Sequence, residues 1–268
     1  MEIKLGGRFS NLVKRLFLIS FIILVTLSWA EAQGLKPIKL DAPDKKRGLP
    51  FMETLSIRAS VHEWSDKELS IKDLSDMLWA AHGVNRPDGK RTAPSARDSH
   101  DIDVYVFMKK GVYLYDANNH VLNPVVSGDH RENLGKPAWF AAPPDGAVPP
   151  AGGTAPDQSG VPPAGNAAPA GPTGNASGES GGVATPPTLL FLVSDISRFD
   201  GDGTTENKVE WATIDAGIVS QNVSLFCAAT GLKTRPRASF GKDHIKKLLN
   251  LKDTQYPLLN MPVGYAAD

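Results

Sequence analysis

The sequence predicts an α+β fold, a central and mostly antiparallel sheet flanked by helices, and three observations carry that reading. Residues 102–108 and 111–116 read as two strands of a hairpin joined through Lys109, Lys110 and Gly111. Residues 188–195, "TLLFLVSD", form an apolar run of strand length. Helical patterns at 70–81 and 210–232 are interspersed with these strands, yet hairpins stand where a doubly wound parallel sheet would need crossovers.

Taken in order, the chain starts with an address. Lys4, Arg8, Lys14 and Arg15 precede an apolar run from Leu16 to Trp29, and Ala30-Glu31-Ala32 has the small-x-small form of a cleavage site. The run is shorter than the roughly 20 residues a spanning helix needs. Residues 1–32 therefore read as a cleaved signal peptide, with export to the periplasm and no stable membrane span after cleavage. Residues 33–48 form an N-terminal extension, and 49–268 the folded domain.

Within that domain, Ile71, Leu74, Leu78 and Ala81 share one helical face, Ser70 is placed to cap it, and His82-Gly83 ends it. In the strand that follows, Ile102, Val104 and Val106 alternate with Asp103, Tyr105 and Phe107. Residues 141–187 are a Pro, Gly, Ala and Ser mixture with almost nothing to bury, so the expectation is a disordered insertion inside one domain. Beyond it come the strand 188–195, the long helix 210–232 closed by Gly231, a short amphipathic helix at 242–251 and a closing strand at 256–265. The long helix is apolar on more than one face. That pattern predicts an obligate homodimer, with a buried core helix as the alternative.

Composition excludes several functions. Lys plus Arg and Asp plus Glu both number 29, so no basic excess exists to hold nucleic acid. The single cysteine, Cys227, cannot close an internal disulfide and lies in an apolar run. His100, His120, His130 and His244 lack metal-ligand spacing, "DGDGTTE" at 200–206 reads as a turn, and no glycine-rich nucleotide fingerprint is present.

Three segments carry chemistry. Arg58, Ser60 and His62 combine a planar fork of donors with a hydroxyl, a sound phosphate clamp if it is not a plain surface turn. Arg91, Thr92, Ser95, Arg97 and Asp98 crowd a loop around Pro94 that is suited to gripping something polar, or to being an exposed turn. Asp215, Ser220, Gln221 and Asn222 interrupt the long apolar helix and require partners from another helix, a second subunit or a ligand.

The order of these segments resembles the nitroreductase-like flavoproteins, closest to the branch that includes azoline dehydrogenases of peptide maturation. The matching stretches are "RASVHEWSDKELSIKDLSDMLWAAHGVNRPDGKRTAPSA", "VYLYD", "VVSGDHR", "VSDISRF", "DAGIVSQNVSLFCAATGL" and "PVGY", which span Leu49 to Tyr265 apart from the insertion. The resemblance implies a homodimer with FMN in an interface cleft. Arg58, Ala59, Ser60 and His62 would form the phosphate turn. Pro94, Ser95, Ala96 and Asp98 would lie along the flavin, and Ala238 and Ser239 would approach its ring edge. Hydride would pass at flavin N5, so no catalytic side chain is implied and no metal.

The chain departs from that pattern at Ala59, His62 and Asp98, and in a C-terminus, "PVGYAAD", without a basic residue. Those departures keep open a second reading, a non-catalytic binding or scaffold protein that has lost tight FMN binding.

Overall fold

The structure is a computed structural model that describes residues 34–132, 134 and 185–267. The expected signal peptide, and residues 141–184 of the expected insertion, lie outside the described residues.

Seven strands form one antiparallel sheet: β1 (Ile38–Lys39), β2 (Ile102–Met108), β3 (Gly111–Asp116), β4 (Val121–Ser127), β5 (Thr188–Asp195), β6 (Lys233–Thr234) and β7 (Gln255–Gly264). Their spatial order is β1-β4-β3-β2-β5-β7-β6. The hairpin read from the sequence is present, with Met108 opposite Gly111. β5 lies between β2 and β7, so strands from both sides of the insertion share one sheet. The guanidinium of Arg131 donates to the carbonyls of Pro186 and Pro187 at 3.3 and 3.2 Å, which brings the two flanks of that segment to one place.

Among the described residues four α-helices accompany the sheet: α1 (Phe51–Ile57), α2 (Ile71–His82), α3 (Thr205–Thr230) and α4 (Lys242–Leu248). The sheet is apolar on both faces, which explains why β5 has no polar alternation. On one face Val104, Val106, Leu190 and Leu192 pack with Leu74, Met77 and Leu78 of α2 and with Ala216, Val219 and Val223 of α3. On the other, Phe107 and Phe191 stack at 4.6 Å between ring centroids and meet Phe240 and Ile245 at the start of α4.

Local chemistry sets the helix ends. The Ser70 hydroxyl accepts from the backbone N–H of Asp73 at the start of α2, as its position predicts. Thr204 caps α3 in the same way, and Gly231 closes it with a left-handed φ of 82° that a Cβ would strain. α3 thus begins five residues before the pattern at Glu210 suggested. Ile71 departs from the expected buried face of α2 and is exposed, because it sits in the first turn where the helix leaves the core.

α1 was not legible in the sequence. It spans only seven residues, and Phe51, Met52, Leu55 and Ile57 face outward, so no core-facing periodicity marks it. The N-terminal extension is tied into the domain. Leu40 is buried, β1 pairs with β4, and Arg47 bonds both Asp73 and Asp76 of α2.

Candidate functional site

The sequence-predicted residues gather at two places, one at each end of a stretch of α3. The first is at its C-terminal end. After α1 the chain runs extended as a strap over residues 58–65, and the strap is held by three bonds. Val61 N–H donates to the Thr234 carbonyl at 3.1 Å, the Trp64 indole to the Lys233 carbonyl at 3.3 Å, and Ser65 N–H to the Tyr265 carbonyl at 3.2 Å. Arg58, Ala59, Ser60 and His62 therefore lie along β6, with all four side chains exposed.

The tertiary structure adds two cations that the sequence reading passed over. Arg235 places Nη1 2.5 Å from Nδ1 of His62 and lies over the Trp64 ring. Arg237 is held by Asn260, whose Oδ1 accepts from Nε at 2.7 Å while the two backbones exchange bonds at 2.8 Å. Burial, and then the Arg235 charge, lowers the Arg237 guanidinium to about 10. Among the described residues, Arg58, Arg235 and Arg237 have no carboxylate partner. Cations beside the strap without a counter-ion are what a phosphate group would complete. Ala238 and Ser239 follow directly and are exposed. The signal available in the sequence was the basic alternation Lys233, Arg235, Arg237, but it acquires meaning only once β6 lies beside the strap.

The second place is the loop 91–100, against the middle of α3. Arg97, Asp98 and His100 all have left-handed φ values, so the chain turns sharply here. Ser95 accepts from the His100 N–H at 2.9 Å, and Ala96 donates its N–H to Asp215 Oδ2 at 2.8 Å. The Ala96 amide therefore points into the protein, away from any bound group. Pro94 is exposed, and the Asp98 carboxylate is shared between Lys90 at 3.8 Å and His100 at 3.2 Å.

Behind that loop lies a carboxyl pair. Asp101 is fully buried, accepts from the Ser194 hydroxyl at 2.5 Å, and is raised to about 7. Burial is the main cause, and hydrogen bonding and charge from Asp215 push in the same direction. Asp101, which holds its proton more tightly than an ordinary carboxyl, faces Asp215, which in turn accepts from Ala96, so the three form one chain from strand to helix to loop. The other polar residues of α3 divide. Asn222 donates to the Ala81 carbonyl of α2 at 3.4 Å, a contact with another helix, one of the partners the sequence left open, while Gln221 is exposed rather than buried. Cys227 is buried and its thiol is pushed up, so it stays inert.

Gly231, which closes α3 beside β6, lies sixteen positions beyond Asp215. At a rise of about 1.5 Å per residue the two places are about 24 Å apart along the helix.

An antiparallel sheet with helices on both faces, a cation cluster at the end of the long helix and a polar loop at its middle define an α+β architecture, and the family the chain matches assigns it to the oxidoreductases. The chain belongs to the nitroreductase family, whose profile matches residues 55–265. It is 24% identical over 237 residues to a Methanocaldococcus jannaschii protein assigned as a nitroreductase, which covers 85% of this chain and 96% of that protein. It is also similar to the crystal structure of a Ralstonia eutropha JMP134 protein assigned as a nitroreductase. That match has 27% identity and a TM-score of 0.67, and covers 87% of this chain and 91% of the other. The Escherichia coli microcin synthetase McbBCD complex shares the fold, at 18% identity and a TM-score of 0.55 over 78% of this chain and 69% of that one.

Proposed function

We propose that the protein is an exported, FMN-dependent oxidoreductase that works as a homodimer. One observation carries the reading: the strap 58–62 and the chain at 234–235, far apart in sequence, lie side by side through Val61 on Thr234 and His62 on Arg235, and Arg58, Arg235 and Arg237 have no carboxylate partner among the described residues.

In that reading Arg58, Arg235 and Arg237 bind the phosphate, and Ser60 adds a hydroxyl donor. His62, bonded to Arg235, positions that guanidinium. Ala238 and Ser239 lie next along the chain and flank the ring. When bound, the flavin supplies two-electron hydride chemistry, and the protein contributes position and charge.

The separation along α3 supports the dimer. A single cofactor touched by both the strap and the 94–98 loop needs the two places to come from different chains. α3 offers a face for this, since Ile214, Gly217 and Gln221 are exposed at helical spacing. A Cβ at Gly217 would meet nothing within 4 Å. Leu49, Phe51, Met52 and Leu55 extend the apolar surface beside it, with Phe51 64% and Met52 74% exposed. Two copies of α3 packed antiparallel about a twofold bring the loop of one chain toward the strap of the other. The basic and apolar N-terminus supports export.

The test is a titration of the purified mature protein with FMN, followed by absorbance, beside Arg58→Ala and Arg235→Ala. Wild type should bind, and each variant should lose about tenfold in affinity or more. A wild type that is colourless and ignores added FMN would leave the non-catalytic reading in its place.

A further inference from the structure

A second cleft of about 270 Å³ opens on the far side of the 91–100 loop, between the C-terminal end of α2 and strands β2 and β3. Nearly every polar wall of it is already satisfied. Asp103 receives both donors of Arg198 Nη2 at 2.9 and 2.8 Å. Tyr115 bonds His120 at 2.8 Å, and Asp116 accepts from Asn118 and Asn119.

Two groups with buried, unbonded nitrogens are left over. His82 is 2% exposed, lines the cleft, and has neither ring nitrogen bonded. Arg91 lines it too. Its Nη1 reaches the His82 carbonyl at 3.2 Å, but its Nε is buried without an acceptor, and no carboxylate pairs with it among the described residues. Leaving a guanidinium desolvated and unpaired is costly, as is leaving buried donors unmade. The backbone of Arg91 is fixed by a bridge to Val84, and its side chain is tied to the cleft by the bond from Nη1 to the His82 carbonyl.

We propose that this cleft binds a small organic carboxylate, its two oxygens on the Arg91 fork and within reach of a His82 ring N–H. The ligand is a monoanion because Arg91 is, among the described residues, the one lining guanidinium without a salt bridge, and the cleft wall already carries the Asp116 carboxylate, held only by the neutral donors of Asn118 and Asn119. Arg198 is already neutralised by Asp103, and burial and Arg91 keep the His82 ring uncharged. A phosphate dianion would bring a second charge with nothing to balance it. Leu114 and Ala117 give the carbon body an apolar wall. The site is separate from the cation cluster at β6 and does not depend on flavin binding.

The experiment is calorimetric titration of the full mature protein with acetate, benzoate and inorganic phosphate, repeated on Arg91→Met and on Arg86→Met, an exposed control. At least one carboxylate should bind wild type and the control alike, and Arg91→Met should weaken it about tenfold or more. Ring resonances of His82 in the wild-type protein, read by heteronuclear NMR, should shift on adding the same carboxylate, which keeps the test decisive if the variant misfolds. Unchanged affinity in a folded Arg91→Met, phosphate binding in preference to both carboxylates, or no heat and no His82 shift with either carboxylate would overturn the proposal. FMN absorbance recorded in the same samples separates this outcome from loss of the flavin site.

Discussion

The backbone N–H of Ala96 donates to Asp215 Oδ2 over 2.8 Å, tying the loop between α2 and β2 to the middle of α3. The same carboxylate faces Asp101, so one side chain satisfies both a loop amide and a buried acid. Replacing Asp215 by Ala strands both donors. A loss of about 1–3 kcal/mol is expected for the pair in urea unfolding, with Asp215→Asn retaining part of the difference because its amide oxygen can still accept. Equal stabilities for all three proteins would show that the contact does not hold the loop.

Asp101 gives the protein a pH dependence of definite sign. Its folded value of about 7 stands above the ordinary 3.8, so the folded state keeps a proton that the unfolded chain releases. Its contribution is therefore complete below about pH 4 and is lost as pH rises through 7. Asp101→Asn mimics the neutral acid. It should flatten the decline in melting temperature between pH 5 and 8, where each kcal/mol corresponds to about 2–4 °C. A wild type and variant with parallel profiles would refute the shared proton.

His82 acts with the opposite sign. Burial is the main reason its ring falls from 6.5 to about 3, with the Arg91 charge adding to it. The stability it supplies is present above pH 6.5 and disappears as pH falls toward 3, since the buried ring must then take up a proton. His82→Leu should lessen acid destabilisation across that window and leave the profile above pH 7 unchanged. An acid limb identical to wild type is the contrary result, and acid denaturation followed by circular dichroism reads it.

Ile214 is 57% exposed on the open face of α3. A carboxylate there would be buried unpaired in a helix-to-helix dimer, so Ile214→Glu should convert the mature protein from about twice the chain mass to the chain mass in sedimentation at micromolar concentration. FMN affinity should fall with it. A wild type that is monomeric at the outset removes the interface and the composite cleft together.

Some of this was visible before any coordinates. The Ser70 cap, the stop at His82-Gly83, the Lys109-Lys110 hairpin and the apolar run of β5 are local signals, and each depends on neighbours within a few residues. The phosphate-type residues Arg58 and Ser60 and the loop at Pro94 were visible for the same reason, as unusual groupings in short windows. α1 escaped notice because its apolar residues face outward and mimic no buried pattern.

What the sequence determined by itself was therefore the set of elements, the α+β class and the family of segments in their order. Pairing and proximity were decided only by the tertiary structure. Val61 meets Thr234 across 173 positions, Ser194 meets Asp101 across 93 and Ala96 meets Asp215 across 119, and no periodicity encodes such separations. The charge states of Asp101 and His82 belong to the same class. A carboxyl or imidazole has its ordinary affinity for protons in the unfolded chain, and only burial by distant elements moves it.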